Sequence, residues 1–166
     1  LRNKTGWVMA SVPSTNEFPE HKDYLGLSSG YNRAKLAWYQ IDPLFYRSGT
    51  PVSGDQMKSL QVYRVQETDI APNAQTPNGL PTEISTLDLA FYPEERGPYN
   101  FETSGEPGIS RGLTTDGKLK DPETRWGGVM RELTTNDFEA QNVEYIQFWL
   151  MDPFVEDGYK DNAGGK

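Results

Sequence analysis

The sequence predicts a mainly β protein, an antiparallel β-sandwich of the jelly-roll or galactose-binding-like kind with long loops. Strand-like runs rich in β-branched and aromatic residues dominate the chain, and few stretches have helical periodicity. Twelve prolines and sixteen glycines stand mostly between these runs, where an antiparallel protein needs its turns. Strands and helices do not alternate along the chain, which argues against a parallel α/β sheet.

The predicted elements are short and are separated by turn-rich connections. The best helical stretch covers residues 136–142, where Thr134, Thr135 or Asn136 could cap one or two turns. The predicted strands are residues 6–12, 36–46, 60–66, 87–92, 128–133 and 143–151.

The strand predicted at residues 143–151 becomes apolar on both faces toward its C-terminal end. Tyr145 and Trp149 lie on one face, whereas Phe148 lies on the other. A strand of this kind is expected at the centre of a sheet, covered on both sides. We therefore expect Trp38, Phe148 and Trp149 to be buried within one β-sheet assembly and to belong to an aromatic-rich core.

Charge and composition exclude several classes of protein. Sixteen Lys and Arg against twenty-four Asp and Glu give a net charge of −8, which argues against nucleic acid and anionic lipid as partners. The absence of cysteine excludes disulfides and thiolate metal sites, and the single histidine, His21, argues against a multi-histidine site. No apolar run approaches the eighteen residues of a transmembrane helix.

Acidic residues are the first candidates for chemistry, because acid/base catalysis by carboxylates needs neither His nor Cys. The pairs at positions 94–95, 121 with 123, and 156–157 lie in predicted loops without the apolar neighbours that raise a carboxyl pKa. Two lysines interrupt the acidic cluster at residues 116–123, which favours an Asp-Gly β-turn over a calcium site. We therefore predict no catalytic residue, no metal and no cofactor, and hence a protein that is not an enzyme.

Tryptophan side chains could stack on sugars, as they do in many β-sandwich binding modules. Trp38 and Trp149 fall within apolar strands, where a structural role is the simpler interpretation. Trp126 lies between Arg125 and two glycines, and it is the tryptophan that we consider most open to a binding role.

The candidate site residues are five members of one stretch: Arg125, Trp126, Gly127, Gly128 and Arg131. Adjacent glycines are costly to order, since glycine loses the most backbone freedom on folding. We hypothesise that they let another backbone approach closely while Trp126 covers it, and that Arg125 or Arg131 pairs with Glu95 or Asp152. A tight turn with solvated arginines is the alternative interpretation.

Several stretches of the sequence resemble the SprA/Sov family, the giant outer-membrane translocon proteins of the type IX secretion system in gliding and related bacteria. The similarity recurs in order from about residue 36 to residue 154, and the block at 125–154 is long and unusual in composition. The stretches are 37–46 (AWYQIDPLFY), 89–93 (LAFYP), 95–101 (ERGPYNF), 125–131 (RWGGVMR), 134–142 (TTNDFEAQN) and 143–154 (VEYIQFWLMDPF).

The resemblance implies a structural, non-catalytic segment of a pore that moves folded cargo across the outer membrane, and a role in gliding motility at the cell surface. Its partners would be other segments of the same large chain, type IX accessory proteins and secreted cargo. The predicted strands lack the sustained alternation of lipid-facing barrel strands. We therefore place the chain in a soluble domain attached to the barrel, on a membrane face that the sequence leaves open.

We interpret residues 1–166 as a single β-domain, or part of one, cut from a much larger chain; residues 1–35 and 155–166 lie outside the resemblance. The strand expected after Gly164 and Gly165 is missing, so the sandwich can be incomplete within this sequence. The alternative function is a cell-surface carbohydrate-binding β-sandwich module. Two or more exposed aromatics in a groove would favour that module, whereas their burial would favour the pore segment.

Overall fold

The computed structural model describes residues 6–75, 77–80, 82–133 and 137–151. Within these ranges the chain forms two compact units. The first unit holds residues 6–39 and 87–132, and the second holds residues 40–86 and 133–151.

The first unit contains the two antiparallel sheets of the described residues, each made of two strands. The first sheet pairs β1 with β4, and the second pairs β2 with β3, in which Leu36 faces Phe91 and Trp38 faces Leu89. Small antiparallel sheets and few helices are compatible with the mainly β class that the sequence predicts. The strands are β1 (Val8–Met9), β2 (Ala34–Trp38), β3 (Leu89–Arg96) and β4 (Val129–Met130).

A parallel bridge between Arg33 and Trp126 joins the two sheets at the start of β2. The Ala34 amide donates to the Trp126 carbonyl (2.8 Å), and the Trp126 amide donates to the Asn32 carbonyl (3.1 Å). On the far side of β3, the Leu119 amide donates to the Glu94 carbonyl (2.9 Å). These bonds extend the β2–β3 pair by single residues rather than by full strands.

The second unit is built from short helices and turns. Helix α1 (Gly54–Met57) begins with a capping box, in which the Gln56 amide donates to Ser53 Oγ (3.2 Å) and the Ser53 amide donates to Gln56 Oε1 (2.9 Å). No helix among the described residues is long and apolar enough to cross a bilayer. The other helices of this unit are α2 (Glu67–Ile70) and the 3₁₀ helices Pro43–Tyr46, Leu60–Val62 and Pro77–Gly79, whereas the first unit has 3₁₀ helices at Pro19–Asp23, Leu27–Gly30 and Pro122–Thr124.

Four predicted strands coincide at least in part with β1 to β4, and two predictions are wrong. Residues 60–66 contain the 3₁₀ helix Leu60–Val62, because Ser59 Oγ accepts from the Gln61 amide (3.3 Å) and this local cap competes with strand pairing. Residues 143–151 form neither helix nor strand. A strand needs a hydrogen-bonded neighbour, and the described residues provide none for this segment.

The expected aromatic-rich core is also wrong for the described residues. The buried apolar residues there are Ala34 and Leu119 alone, whereas Trp38 is 40% exposed, Trp149 72% and Phe148 76%. β2 has only one full neighbouring strand, so Trp38 is left partly uncovered, and the unpaired 143–151 segment leaves its side chains in water. The interior of the first unit is instead polar; its buried polar residues are Glu20, Asn32, Arg33, Asn100, Glu102 and Arg125.

Candidate functional site

The candidate site is built around Arg125, whose guanidinium is completely buried beside Glu102. Arg125 Nη1 lies 3.1 Å from Glu102 Oε2, and both side chains are 0% exposed. The guanidinium also donates to the backbone carbonyls of Tyr31 (2.7 Å), Lys120 (2.9 Å) and Gly112 (3.3 Å). It therefore neutralises a buried carboxylate and ties the loop at Tyr31 to both arms of the 112–120 hairpin.

Glu102 is held from its other side by two polar neighbours. Ser110 Oγ donates to Glu102 Oε1, and the Glu102 amide donates to Asn100 Oδ1 (3.1 Å). Asn100 Nδ2 donates in turn to the carbonyls of Tyr31 (2.9 Å) and Arg33 (2.8 Å). Both carboxylate oxygens of Glu102 are thus satisfied, as a buried charge requires.

Trp126 occupies a second polar cluster, next in sequence to Arg125. Its indole Nε1 donates to Glu20 Oε1 (2.7 Å), while Asn32 Nδ2 donates to Glu20 Oε2 (3.0 Å). The Phe18 ring meets the indole edge-on at 5.0 Å, and Arg33 Cζ lies 4.7 Å from the indole centroid. Burial lowers the pKa of the Arg33 guanidinium, and the Glu20 carboxylate opposes that shift. Trp126 therefore anchors the fold.

The two glycines stand where side chains crowd the backbone. A Cβ added to Gly127 would lie 2.8 Å from Leu36 Cβ and 3.3 Å from the Phe91 ring. A Cβ added to Gly128 would lie 3.1 Å from both Ala10 Cβ and the neighbouring indole ring, and the Ala10 amide donates to the Gly128 carbonyl (2.9 Å). Only a residue without a side chain brings this stretch so close to β2 and β3.

Of the predicted pairings, the one between Arg125 and Glu95 is wrong. Glu95 pairs with Lys35 Nζ (2.6 Å) on the surface, where their side chains are 52% and 47% exposed. A fully buried guanidinium needs a buried carboxylate, and Glu102 supplies it. Asp152 lies outside the described residues.

Arg131 follows β4 and lies next to Gly6. A Cβ added to Gly6 would be 2.9 Å from Arg131 Cζ, which places the guanidinium directly against the backbone there. Arg131 is half-buried, so the alternative of a fully solvated arginine does not describe it. Sequence reasoning missed five buried polar members of the two clusters, and no periodic pattern marks them: Glu20, Asn32, Arg33, Asn100 and Glu102.

Three members of the acidic pairs, Glu94, Glu95 and Asp121, form ion pairs at the surface. Glu94 Oε2 lies 2.5 Å from Lys118 Nζ, and Asp121 Oδ2 lies 3.5 Å from Arg111 Nε. Glu123 is exposed, and the pair at 156–157 lies outside the described residues. No group of three or more metal-ligating side chains comes together in the part of the chain that the structure describes.

The Asp-Gly β-turn predicted within residues 116–123 is confirmed. The Gly117 amide donates to the Thr114 carbonyl (3.1 Å), and Gly117 adopts a φ of +83° that glycine accepts without strain. The Thr114 hydroxyl donates to Asp116 Oδ1 (2.5 Å) and lowers the pKa of that carboxyl. The loop is thus closed by its own hydrogen bonds.

A shallow, mostly apolar groove lies beside the outer edge of β2. The exposed face of the β2–β3 pair borders it, with Trp38 40% and Phe91 43% exposed. Its lining is Met9, Arg33, Ala34, Leu36, Trp38, Pro98, Gly127, Gly128 and Val129. Gly127 and Gly128 thus line the groove together with the partly exposed Trp38, whereas the Trp126 indole is bonded to the buried Glu20.

The arrangement can do little chemistry beyond holding the chain together. The polar groups of Arg125, Glu102 and Trp126 are bonded to one another, to the backbone, and to the Glu20 and Ser110 side chains. No model of a known protein family matches the chain, and no curated protein is significantly similar to it.

Proposed function

We propose that the chain is a structural, non-catalytic segment of an outer-membrane protein-translocation pore of the type IX secretion type. Support comes first from the sequence resemblance across residues 36–154. The observation that carries the proposal is the complete burial of Arg125, at the head of the long block, residues 125–154, that resembles that family. A stretch whose arginine and indole are both bonded to buried carboxylates belongs to a scaffold rather than to a reaction centre.

The finer parts of the proposal concern fold and location. We propose that the small antiparallel sheets belong to a β-sandwich, of the jelly-roll or galactose-binding-like kind, completed by residues beyond those described. The domain would be attached to the barrel of the pore at the outer membrane, with other segments of the same chain, accessory proteins and cargo as partners. The short strands and the partly uncovered β2–β3 pair support a domain whose sheets are completed by other segments of the same protein.

The test uses the protein in its source bacterium. Gly127→Val is introduced into the chromosomal copy, because a side chain there would collide with Leu36 and Phe91. We expect loss of type IX cargo from the medium, and loss of spreading where the host glides. Gly54→Ala is the matched control, since nothing lies within 4 Å of its added Cβ. Normal secretion by a Gly127→Val strain that still makes the parent protein would contradict the proposal.

A carbohydrate-binding module is the second candidate, and one observation favours it. Trp38 and Phe91 are both partly exposed on one face of the β2–β3 pair, beside the groove, as an aromatic sugar platform requires. Titration of the purified chain with cell-surface polysaccharides tests this function. Binding that Trp38→Ala abolishes and Leu25→Ala preserves would support the module, and absence of binding would reject it.

A further inference from the structure

An asparagine, Asn78, is followed directly by Gly79 at the surface of the second unit. The two residues lie in the short 3₁₀ helix Pro77–Gly79, in which Asn78 has a φ of +57° and Gly79 a φ of +71°. Both residues are exposed. A single exposed turn of this kind opens locally at little cost, because few contacts hold it closed. Water and the side-chain amide of Asn78 therefore meet freely.

The pair has the atoms that a five-membered ring closure needs. The side-chain amide carbon of an asparagine, Cγ, is an electrophile, and the backbone nitrogen of the next residue is the nucleophile within its reach. A side chain on that next residue hinders the approach, and glycine has none. A Cβ added to Gly79 would meet nothing within 4 Å, so no neighbouring part of the described chain obstructs the approach either.

Two other exposed asparagines lack the unhindered nitrogen. Asn142 also has a positive φ, of +52°, but Val143 follows it. Val143 has a branched side chain beside its amide, and that amide donates to the Phe138 carbonyl (2.9 Å). Asn73 is followed by Ala74, whose methyl group stands beside the nitrogen. Asn142 and Asn73 therefore provide internal comparisons for Asn78.

The Asp116–Gly117 pair has the glycine but not the reactive amide. An ionised carboxylate is a poor electrophile, because an attacking nitrogen would have to expel an oxide ion. The Thr114 hydroxyl donates to Asp116 Oδ1 (2.5 Å) and lowers the pKa of that carboxyl, so the group is ionised at neutral pH. Ring closure is consequently expected at Asn78 rather than at Asp116.

We propose that Asn78 is a site of spontaneous covalent modification, at which the side-chain amide is lost and aspartate and isoaspartate form. The Gly79 nitrogen loses its proton to solvent and bonds to Asn78 Cγ. The bond from Cγ to the side-chain nitrogen breaks, that nitrogen takes up a proton and leaves as ammonia, and a cyclic imide remains. Water then adds to either carbonyl of the imide and opens the ring.

Opening at one carbonyl gives aspartate, and opening at the other gives isoaspartate, in which the main chain runs through the former side chain. Water is the only co-reactant, and nothing is oxidised or reduced. Each event adds one negative charge to the net charge of −8. This proposal goes beyond the proposed function, since it rests on the chemistry of two neighbouring residues.

The first test incubates the purified 166-residue chain in mildly alkaline buffer and follows each asparagine by peptide mass spectrometry. We expect the peptide that contains Asn78 to gain the mass difference between an amide and a carboxyl group and to separate into two products of equal mass. The rate should rise with pH, because the nitrogen attacks after losing its proton. Asn73 and Asn142 should react about tenfold or more slowly. Equal rates at the three asparagines overturn the proposal, as does a product with aspartate alone, which direct hydrolysis gives.

The second test changes the residue that supplies the nitrogen. Gly79→Ala should slow the reaction at Asn78 about tenfold or more, because the added methyl group hinders the nitrogen. Gly54→Ala is the matched control, since nothing lies within 4 Å of the added Cβ in either variant, and it should leave the rate unchanged. An unchanged rate in Gly79→Ala overturns the proposal.

A second variant keeps the glycine, because alanine is strained at the positive φ of position 79. Asn78→Gln retains the amide but lengthens the side chain by a methylene group, so that the nitrogen would have to close a six-membered ring. We expect mass spectrometry to find position 78 unmodified in this variant over the period in which the wild type reacts. Conversion of the glutamine at the wild-type rate overturns the proposal.

Discussion

Replacement of Arg125 by methionine tests whether the polar interior holds the first unit together. The variant leaves the Glu102 carboxylate buried without its cation, and removal of one partner of a buried ion pair costs about 3–5 kcal/mol. The Lys120 carbonyl loses its donor as well, at about 1–3 kcal/mol where it stays buried. The carbonyls of Tyr31 and Gly112 keep a second donor each, in Asn100 Nδ2 and the Lys120 amide. Because the loops can relax around the lost contacts, we expect the free energy of unfolding to fall by about 3–5 kcal/mol in total. That is a large part of the ~5–15 kcal/mol of unfolding free energy of a typical domain.

The assay is urea denaturation of the purified chain, followed by circular dichroism and analysed for both the midpoint and the slope. Arg111→Met is the matched control: its side chain is 82% exposed, and we expect a change within about 0.5 kcal/mol. Adding Glu102→Gln to Arg125→Met should recover part of the loss, since the orphaned charge is removed. A loss below about 1 kcal/mol for Arg125→Met would refute the reasoning.

Three further outcomes are expected. Trp126→Phe should destabilise the chain by about 1–3 kcal/mol in the same denaturation assay, because a buried carboxylate loses its indole donor. Gly127→Ala should cost about 1–3 kcal/mol by overpacking, whereas Gly54→Ala should be neutral or slightly stabilising, and equal effects would contradict the crowding argument. The pKa of Asp116 is lowered by the Thr114 hydroxyl. The Asp116 carboxylate therefore stabilises the folded state at pH values above its unfolded pKa, and this stabilisation is lost as the pH falls through its folded pKa. An NMR titration in which Thr114→Ala leaves the Asp116 pKa unchanged would contradict this.

Features that depend on neighbours in sequence could be predicted, and the turn at Gly117 is the clearest case. Asp-Gly specifies a turn because glycine accepts a positive φ, whatever the rest of the chain does. The stretch around Trp126 also stands out locally, since adjacent glycines are costly to order.

Features that depend on distant partners could not be predicted. Glu102 is one of twenty-four acidic residues, and nothing in its local sequence marks it as the partner of Arg125. Glu20 lies 106 residues from Trp126 along the chain. The 143–151 segment was wrongly predicted as a strand. Its alternating pattern is that of a strand, but the pattern does not show whether another strand lies beside it to pair with. Pairing is a property of two segments, and periodicity describes only one.

The polar interior follows from the shortness of the strands. β1 and β4 have two residues each, so most of the backbone in the first unit lies in loops whose carbonyls have no ladder partner. Each buried carbonyl still needs a donor, and an apolar core cannot supply one. A guanidinium has five N–H donors in a rigid plane, which lets Arg125 donate to three loop carbonyls and to Glu102 at once. The carboxylate is then needed to balance the buried charge. In this chain, the Arg125 side chain supplies loop carbonyls with the hydrogen-bond donors that a neighbouring strand supplies within a sheet.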